Sequence, residues 1–240
     1  MENFKEFNLK SSFKKILADT LTPVSIYLKI RDKYPNSILL ESSDYRANDN
    51  SFSYICFNPI ASFEVQNERI VNTFPDKTKV EFEISESVSV IEELSKFSRR
   101  FKVDEKSNFK FIHNGLFGYT AYDAVRYFED IEISKKPDNL GIPDMYYAVY
   151  RNIVAINHFK NEVYIFSHSH QEESNVEDIH HLISSRNYAT FNFASKGDIA
   201  SNLTDGEYME HVELAKRHCA RGDVFQLVLS RKFSQNFEGD

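Results

Sequence analysis

Between Ser37 and Ile84, short apolar and alternating runs follow one another with only turn residues between them. Ile38-Leu39-Leu40-Glu41-Ser42 is a short apolar run of the kind that forms a buried strand, and a polar loop from Ser43 to Ser51 leads to a second strand at Phe52 to Phe57. Asn58-Pro59 turns the chain. Ala61 to Val65 and Ile70 to Phe74 then alternate on either side of Gln66-Asn67-Glu68, a hairpin pattern, and Lys79 to Ile84 continues the meander. Strands this close in sequence favour α+β over a regular βαβ alternation. The expected class is α+β, with mostly antiparallel β-sheets packed face to face and helices at their flanks.

Helices punctuate this pattern. Thr22 caps and Pro23 opens a first helix that ends at Pro35, with Val24, Tyr27 and Leu28 on one face. Val88, Ile91, Leu94 and Phe101 recur at helical spacing. A glycine-punctuated aromatic stretch from Phe111 to Tyr122 precedes a short helix around Asp123 to Phe128. Strong strands are expected at Met145 to Asn157 and Glu162 to His168, and a helix at Asn175 to Ser185. Residues 188–205 are polar and weakly patterned, the composition of a linker. Beyond them come a helix from Gly206 to Ala220 and a strand from Val224 to Phe233.

Composition narrows the function classes. The 240 residues are 41% hydrophobic and 27% charged, the balance of a globular chain rather than a disordered one. A net charge of −7 argues against a nucleic-acid partner, which needs a basic face. No window is apolar enough to span a membrane, and the first fifteen or so residues lack the continuous apolar stretch of a secretory signal. Cys56 and Cys219 fit no metal or redox spacing and are expected as reduced thiols, which points to the cytoplasm.

Generic catalytic templates fail. Gly115-x-x-Gly118 lacks the third glycine of a dinucleotide loop. His168-x-His170 and His180-His181 have no acid or cysteine at ligand spacing, so no metal site is expected from them. In Arg221-Gly222-Asp223 the glycine stands where a helix needs a left-handed C-terminal residue, and capping explains it.

Four segments taken in order carry more. Leu39-Leu40-Glu41-Ser42, Phe52 through Pro59, Gly115 through Arg126-Tyr127, and Ala220 through Ser230 together resemble the N-terminal half and the start of the chorismate-binding domain of anthranilate synthase large subunits. Pro143-Asp144-Met145 is a fifth, shorter match. Two positions depart from the family pattern: Ser51 replaces an arginine and Cys56 a glycine. On this resemblance, residues 1–187 form the family's N-terminal region, 188–205 the linker, and 206–240 the incomplete beginning of the chorismate-binding domain.

The resemblance implies an enzyme of tryptophan biosynthesis. The family's large subunit converts chorismate and ammonia to anthranilate with magnesium, and a glutamine amidotransferase subunit supplies the ammonia. The magnesium ligands lie beyond Asp240, so no catalytic or metal-binding residue is expected here and the segment alone is expected to be inactive. Gln226 stands where isochorismate-forming relatives carry a lysine general base. It is a substrate-pocket candidate, or a strand glutamine bonding to nearby backbone. The family's tryptophan feedback site makes Ser42, Glu41 and Leu40 the candidate effector contacts. Glu41 can pair with an ammonium and Ser42 can hydrogen-bond a carboxylate, whereas Leu39 and Leu40 equally suit the core. An aminodeoxychorismate synthase fragment and a non-catalytic amino-acid-binding module are the alternative readings.

Overall fold

The computed structural model describes residues 5–41, 51–104, 109–131, 133, 141–185 and 191–239. The chain divides into two units, Met1–Tyr188 and Ala189–Asp240. In the first, the order is β1 (Phe7–Leu17), α1 (Pro23–Ile30), β2 (Ile38–Glu41), β3 (Phe52–Gln66), β4 (Arg69–Thr73), β5 (Lys79–Glu83), α2 (Val90–Arg99), β6 (Phe101–Asp104) and β7 (Phe117–Thr120). A 3₁₀ turn at Tyr122–Tyr127 follows, then β8 (Met145–Asn157), β9 (Glu162–Ser169) and α3 (Val176–Ser184).

The strands of this unit share one hydrogen-bonded path, β5-β4-β3-β8-β9-β1-β6, with β2 also pairing β3 and β7 also pairing β8. Among the described residues of this unit only β1 and β6 pair in parallel; the other pairs are antiparallel. This is the sheet-dominated α+β architecture that the strand succession predicts.

Local chemistry explains the boundaries. At α1 the Thr22 hydroxyl accepts from the Ser25 amide at 3.1 Å, and the Ser25 hydroxyl accepts from the Thr22 amide at 3.0 Å, a reciprocal cap. The β3–β4 turn puts Asn67 and Glu68 at φ 51° and 62°, the left-handed pair that matches strand twist in a two-residue hairpin. Within β3 the register slips between Pro59 and Ala61, and Asn58 sits at φ 59°. Proline gives no ladder donor, so a bulge is where a long strand can accommodate it.

Two helices cover one part of the sheet. Ile26 and Ile30 of α1, with Val176, Ile179 and Ile183 of α3, are buried against Ile55, Phe57, Val154 and Ile165. Burying each such side chain contributes about 1.5–3 kcal/mol. A second cluster sets Phe97 of α2 against Phe7, Phe63 and Phe74. A third is aromatic, around Tyr54, Phe117, Tyr150 and Phe166.

β1 was not foreseen from sequence. Its lysines and serines dilute the apolar alternation, yet it pairs on both sides, with β9 and β6, and buries Phe7 and Leu9.

The second unit comprises β10 (Phe193–Ser201), α4 (Asp205–Arg221) and β11 (Phe233–Gly239), with β10 and β11 antiparallel. The Thr204–Glu207 capping box starts α4, and Gly222 at φ 78° ends it, as the capping reading expects. Two expectations differ. The stretch read as linker, 188–205, carries β10. The apolar run Val224 to Phe233 is not a strand: it lacks regular structure until Phe233, where pairing with β10 begins. An apolar sequence becomes a strand only when a neighbour accepts its hydrogen bonds, and β10 offers its edge to the polar residues that follow.

Candidate functional site

β2 lies against the beginning of β3, pairing Leu40 with Tyr54 and Glu41 with Ser53. Directly paired residues present their side chains to the same face, and successive residues to opposite faces. Leu40 therefore shares a face with Ile38 and Tyr54, while Glu41 shares the other with Leu39 and Ser53. The two candidates do not converge through β2 itself. Both are exposed, Leu40 at 37%. Ser42 lies outside the described residues.

On the Leu40 side the surroundings are aromatic. The rings of Tyr54 and Phe117 are 5.9 Å apart, and Ile38, Cys56, Tyr146 and Tyr150 belong to the same cluster. Burial pushes the Tyr54 phenol up to about 12, with the neighbouring Cys56 adding to the shift and an amide hydrogen bond from Ile112 opposing it. Burial likewise pushes the Cys56 thiol up, so it is a neutral apolar filler rather than a nucleophile. The Tyr150 hydroxyl is buried with no hydrogen-bond partner among the described residues. A face of this kind favours an uncharged aromatic ring.

On the Glu41 side, Ser53 is buried and its hydroxyl lies 2.7 Å from Nε2 of His158. No sequence motif announced this pair, because Ser53 and His158 are brought together only when β3 aligns with the end of β8. It places an imidazole beside the end of β2, where Glu41 supplies a carboxylate.

The aromatic glycine segment has a structural explanation. A Cβ on Gly118 would stand 1.9 Å from the Tyr146 carbonyl oxygen, so only glycine permits β7 to approach β8. Arg126 Nη2 donates to Asp144 Oδ2 at 2.7 Å and to the Tyr127 hydroxyl at 3.0 Å, and that hydroxyl donates to the same carboxylate at 2.9 Å. Burial, then the Asp144 carboxylate, raises the Tyr127 phenol to about 12. Two motifs separate in sequence, Tyr122 to Tyr127 and Pro143-Asp144-Met145, thus meet in one ion pair.

Gln226 belongs to the second unit, exposed in the irregular stretch between α4 and β11. Phe225 beside it is 99% exposed. Among the described residues, no group of three or more His, Cys, Asp or Glu side chains could hold a metal ion. No donor set here fits magnesium. His168 and His170 instead bond main-chain carbonyl oxygens, of His113 at 2.8 Å and Asn8 at 3.2 Å. No described helix is long and apolar enough to cross a membrane.

Residues 35–240 match the family described as chorismate binding enzymes. The chain is 30% identical to anthranilate synthase component 1 of Aquifex aeolicus, over 98% of this chain and 50% of that protein. It is also 30% identical to the Lactococcus lactis component 1, over 93% of this chain and 49% of that one. The chain spans about half the length of these curated relatives. Among solved structures, anthranilate synthase component I of Streptococcus pneumoniae shares the fold, with a TM-score of 0.52 and 20% identity over 93% of this chain and 50% of that one.

Proposed function

Because the chain belongs to the family of chorismate binding enzymes, we propose that it is the N-terminal part of an anthranilate synthase large subunit serving tryptophan biosynthesis in the cytoplasm. The whole subunit would take chorismate and ammonia to anthranilate, with the ammonia delivered from glutamine by an amidotransferase partner. The family match over residues 35–240, together with relatives that are anthranilate synthases, carries this reading.

The role of this part is scaffolding and effector binding rather than bond making. Leu40 beside Tyr54 offers an apolar and aromatic surface to an indole ring; Glu41 faces the other side of β2, so its carboxylate would meet an ammonium only of a ligand that reaches around the end of that strand. Ser42 completes the candidate set as a hydrogen-bonding hydroxyl. Gln226 is the candidate that would reach toward the substrate's reacting ring, where a neutral amide can position ammonia without acting as a base. Magnesium would neutralise substrate carboxylates in the whole subunit; among the described residues no acidic cluster is placed to hold it.

The test compares the 240-residue chain with the protein encoded by the full open frame around it, each given chorismate, ammonium and magnesium. Anthranilate fluorescence is expected from the longer protein alone. Aminodeoxychorismate as the product would move the chain to the folate-pathway enzyme, and no chorismate consumption by the longer protein would overturn the enzymatic reading.

A further inference from the structure

We propose that a cavity in the first unit, separate from β2, is a binding site for a small, neutral aromatic molecule of one or two fused rings. The cavity measures about 190 Å³. Its inner wall is formed by Leu9 of β1, Val149 and Tyr150 of β8, and His168 of β9, all buried. Phe101 and Val103 of β6 and Leu116, ahead of β7, complete the apolar lining. The proposal is independent of the effector role of Leu40, Glu41 and Ser42.

Size separates this space from a packing fault. Protein interiors are close-packed, with few voids larger than a water molecule. For scale, an enclosed apolar cavity of roughly 150 Å³ takes up benzene; the present space is larger, partly open to solvent, and adds Ser98 and Asn114 to its apolar lining. Gly115 stands at its exposed side with φ 119°, and a Cβ there would meet nothing within 4 Å. The entrance is therefore not plugged by a side chain at that position.

Chemistry selects the occupant. None of the described lining residues is Asp, Glu, Lys or Arg. A carboxylate or zwitterion would lose its hydration without gaining a charged partner, at a penalty of several kcal/mol. Neutral rings are favoured over amino acids and aromatic acids on that ground. Phe101 and Tyr150 present aromatic surface, and the His168 ring is fixed because its Nε2–H donates to the His113 carbonyl oxygen. The Asn114 side-chain amide supplies both a donor and an acceptor, enough to orient one polar group on a ring. Indole is a suitable probe: flat, uncharged, with a single N–H.

The experiment is a titration of the 240-residue protein with indole, with benzoate as the charged control, followed by backbone amide NMR. Saturable shifts are expected at Leu116 and Val103, with benzoate at least about tenfold weaker. Leu116→Trp, which fills the cavity from one side, is expected to weaken indole at least about tenfold in a protein whose spectrum remains folded. Val103→Phe makes the same test from the β6 wall should Leu116→Trp fail to fold. Val24→Ala, on α1 and outside the lining, is expected to leave indole binding at these amides unchanged. The proposal is overturned if indole gives no saturable shift at these amides, if both filled variants bind it as the parent does, or if benzoate binds equally well.

Discussion

Arg126 holds the 3₁₀ turn to the start of β8 through one carboxylate, Asp144, that also receives the Tyr127 hydroxyl. Arg126→Ala removes charge-assisted bonds worth about 1.5–3 kcal/mol each at best, discounted here because both partners are about one-fifth exposed. A urea midpoint lowered by the equivalent of about 1–2 kcal/mol is expected, with Arg126→Lys recovering part of it. Glu162 gives a pH signature. Hydrogen bonds from Lys15 and then Tyr164 hold its carboxyl below the ordinary glutamate value of 4.5. Its contribution to stability is present above that value and lost as pH falls through the lowered one. Denaturation followed from pH 6 to pH 2 should show an acid limb that Glu162→Gln makes shallower. The sequence displayed some residue-scale features directly. Thr22 as a cap and Gly222 as a left-handed terminus follow from local geometry alone. The Ser53–His158 contact and the opposed faces of Leu40 and Glu41 depend on strand register, which no local pattern specifies.

β8 and β9 were the easiest elements to read, since long β-branched and aromatic runs between turn residues have few other uses. β1 and β10 were invisible for the opposite reason: serine and lysine are frequent in them, and their pairing comes from distant neighbours. The closeness of β7 to β8 is the most stringent feature at this scale. Gly118→Ala would drive a methyl into the Tyr146 carbonyl, so the β7–β8 pairing should open. Hydrogen exchange at residues 117–120 is expected to accelerate, while that of the central β8–β9 ladder stays slow. The α3 N-terminus offers a complementary test. Asn175 makes no side-chain capping bond and instead links Asn152 and Ser167, both buried. Asn175→Ala strands those two groups, and a thermal shift equivalent to about 1–3 kcal/mol is expected.

At the scale of the molecule the two units differ in what holds them. The first encloses three apolar clusters, whereas α4 of the second has no buried side chain and β10 and β11 are exposed along their length. Without apolar burial a lone helix and a two-stranded sheet are marginal. Limited proteolysis is therefore expected to cut within residues 191–239 first and to leave a fragment of the first unit that still melts cooperatively on calorimetry. Fold class was legible because strand succession is a local property, and the identity of the buried partners was not, because it is a property of the whole sheet. The position of β1 adds a constraint of a different kind. Lys10 and its neighbours sit between β6 and β9, and their antiparallel partners reach as late as Ser169. During synthesis at roughly 5–20 residues per second, the opening strand must wait on the order of ten seconds on the ribosome for its neighbour to emerge. For that interval the stretch from Ser11 to Leu17 lacks the β9 partner that accepts its main-chain hydrogen bonds in the finished sheet.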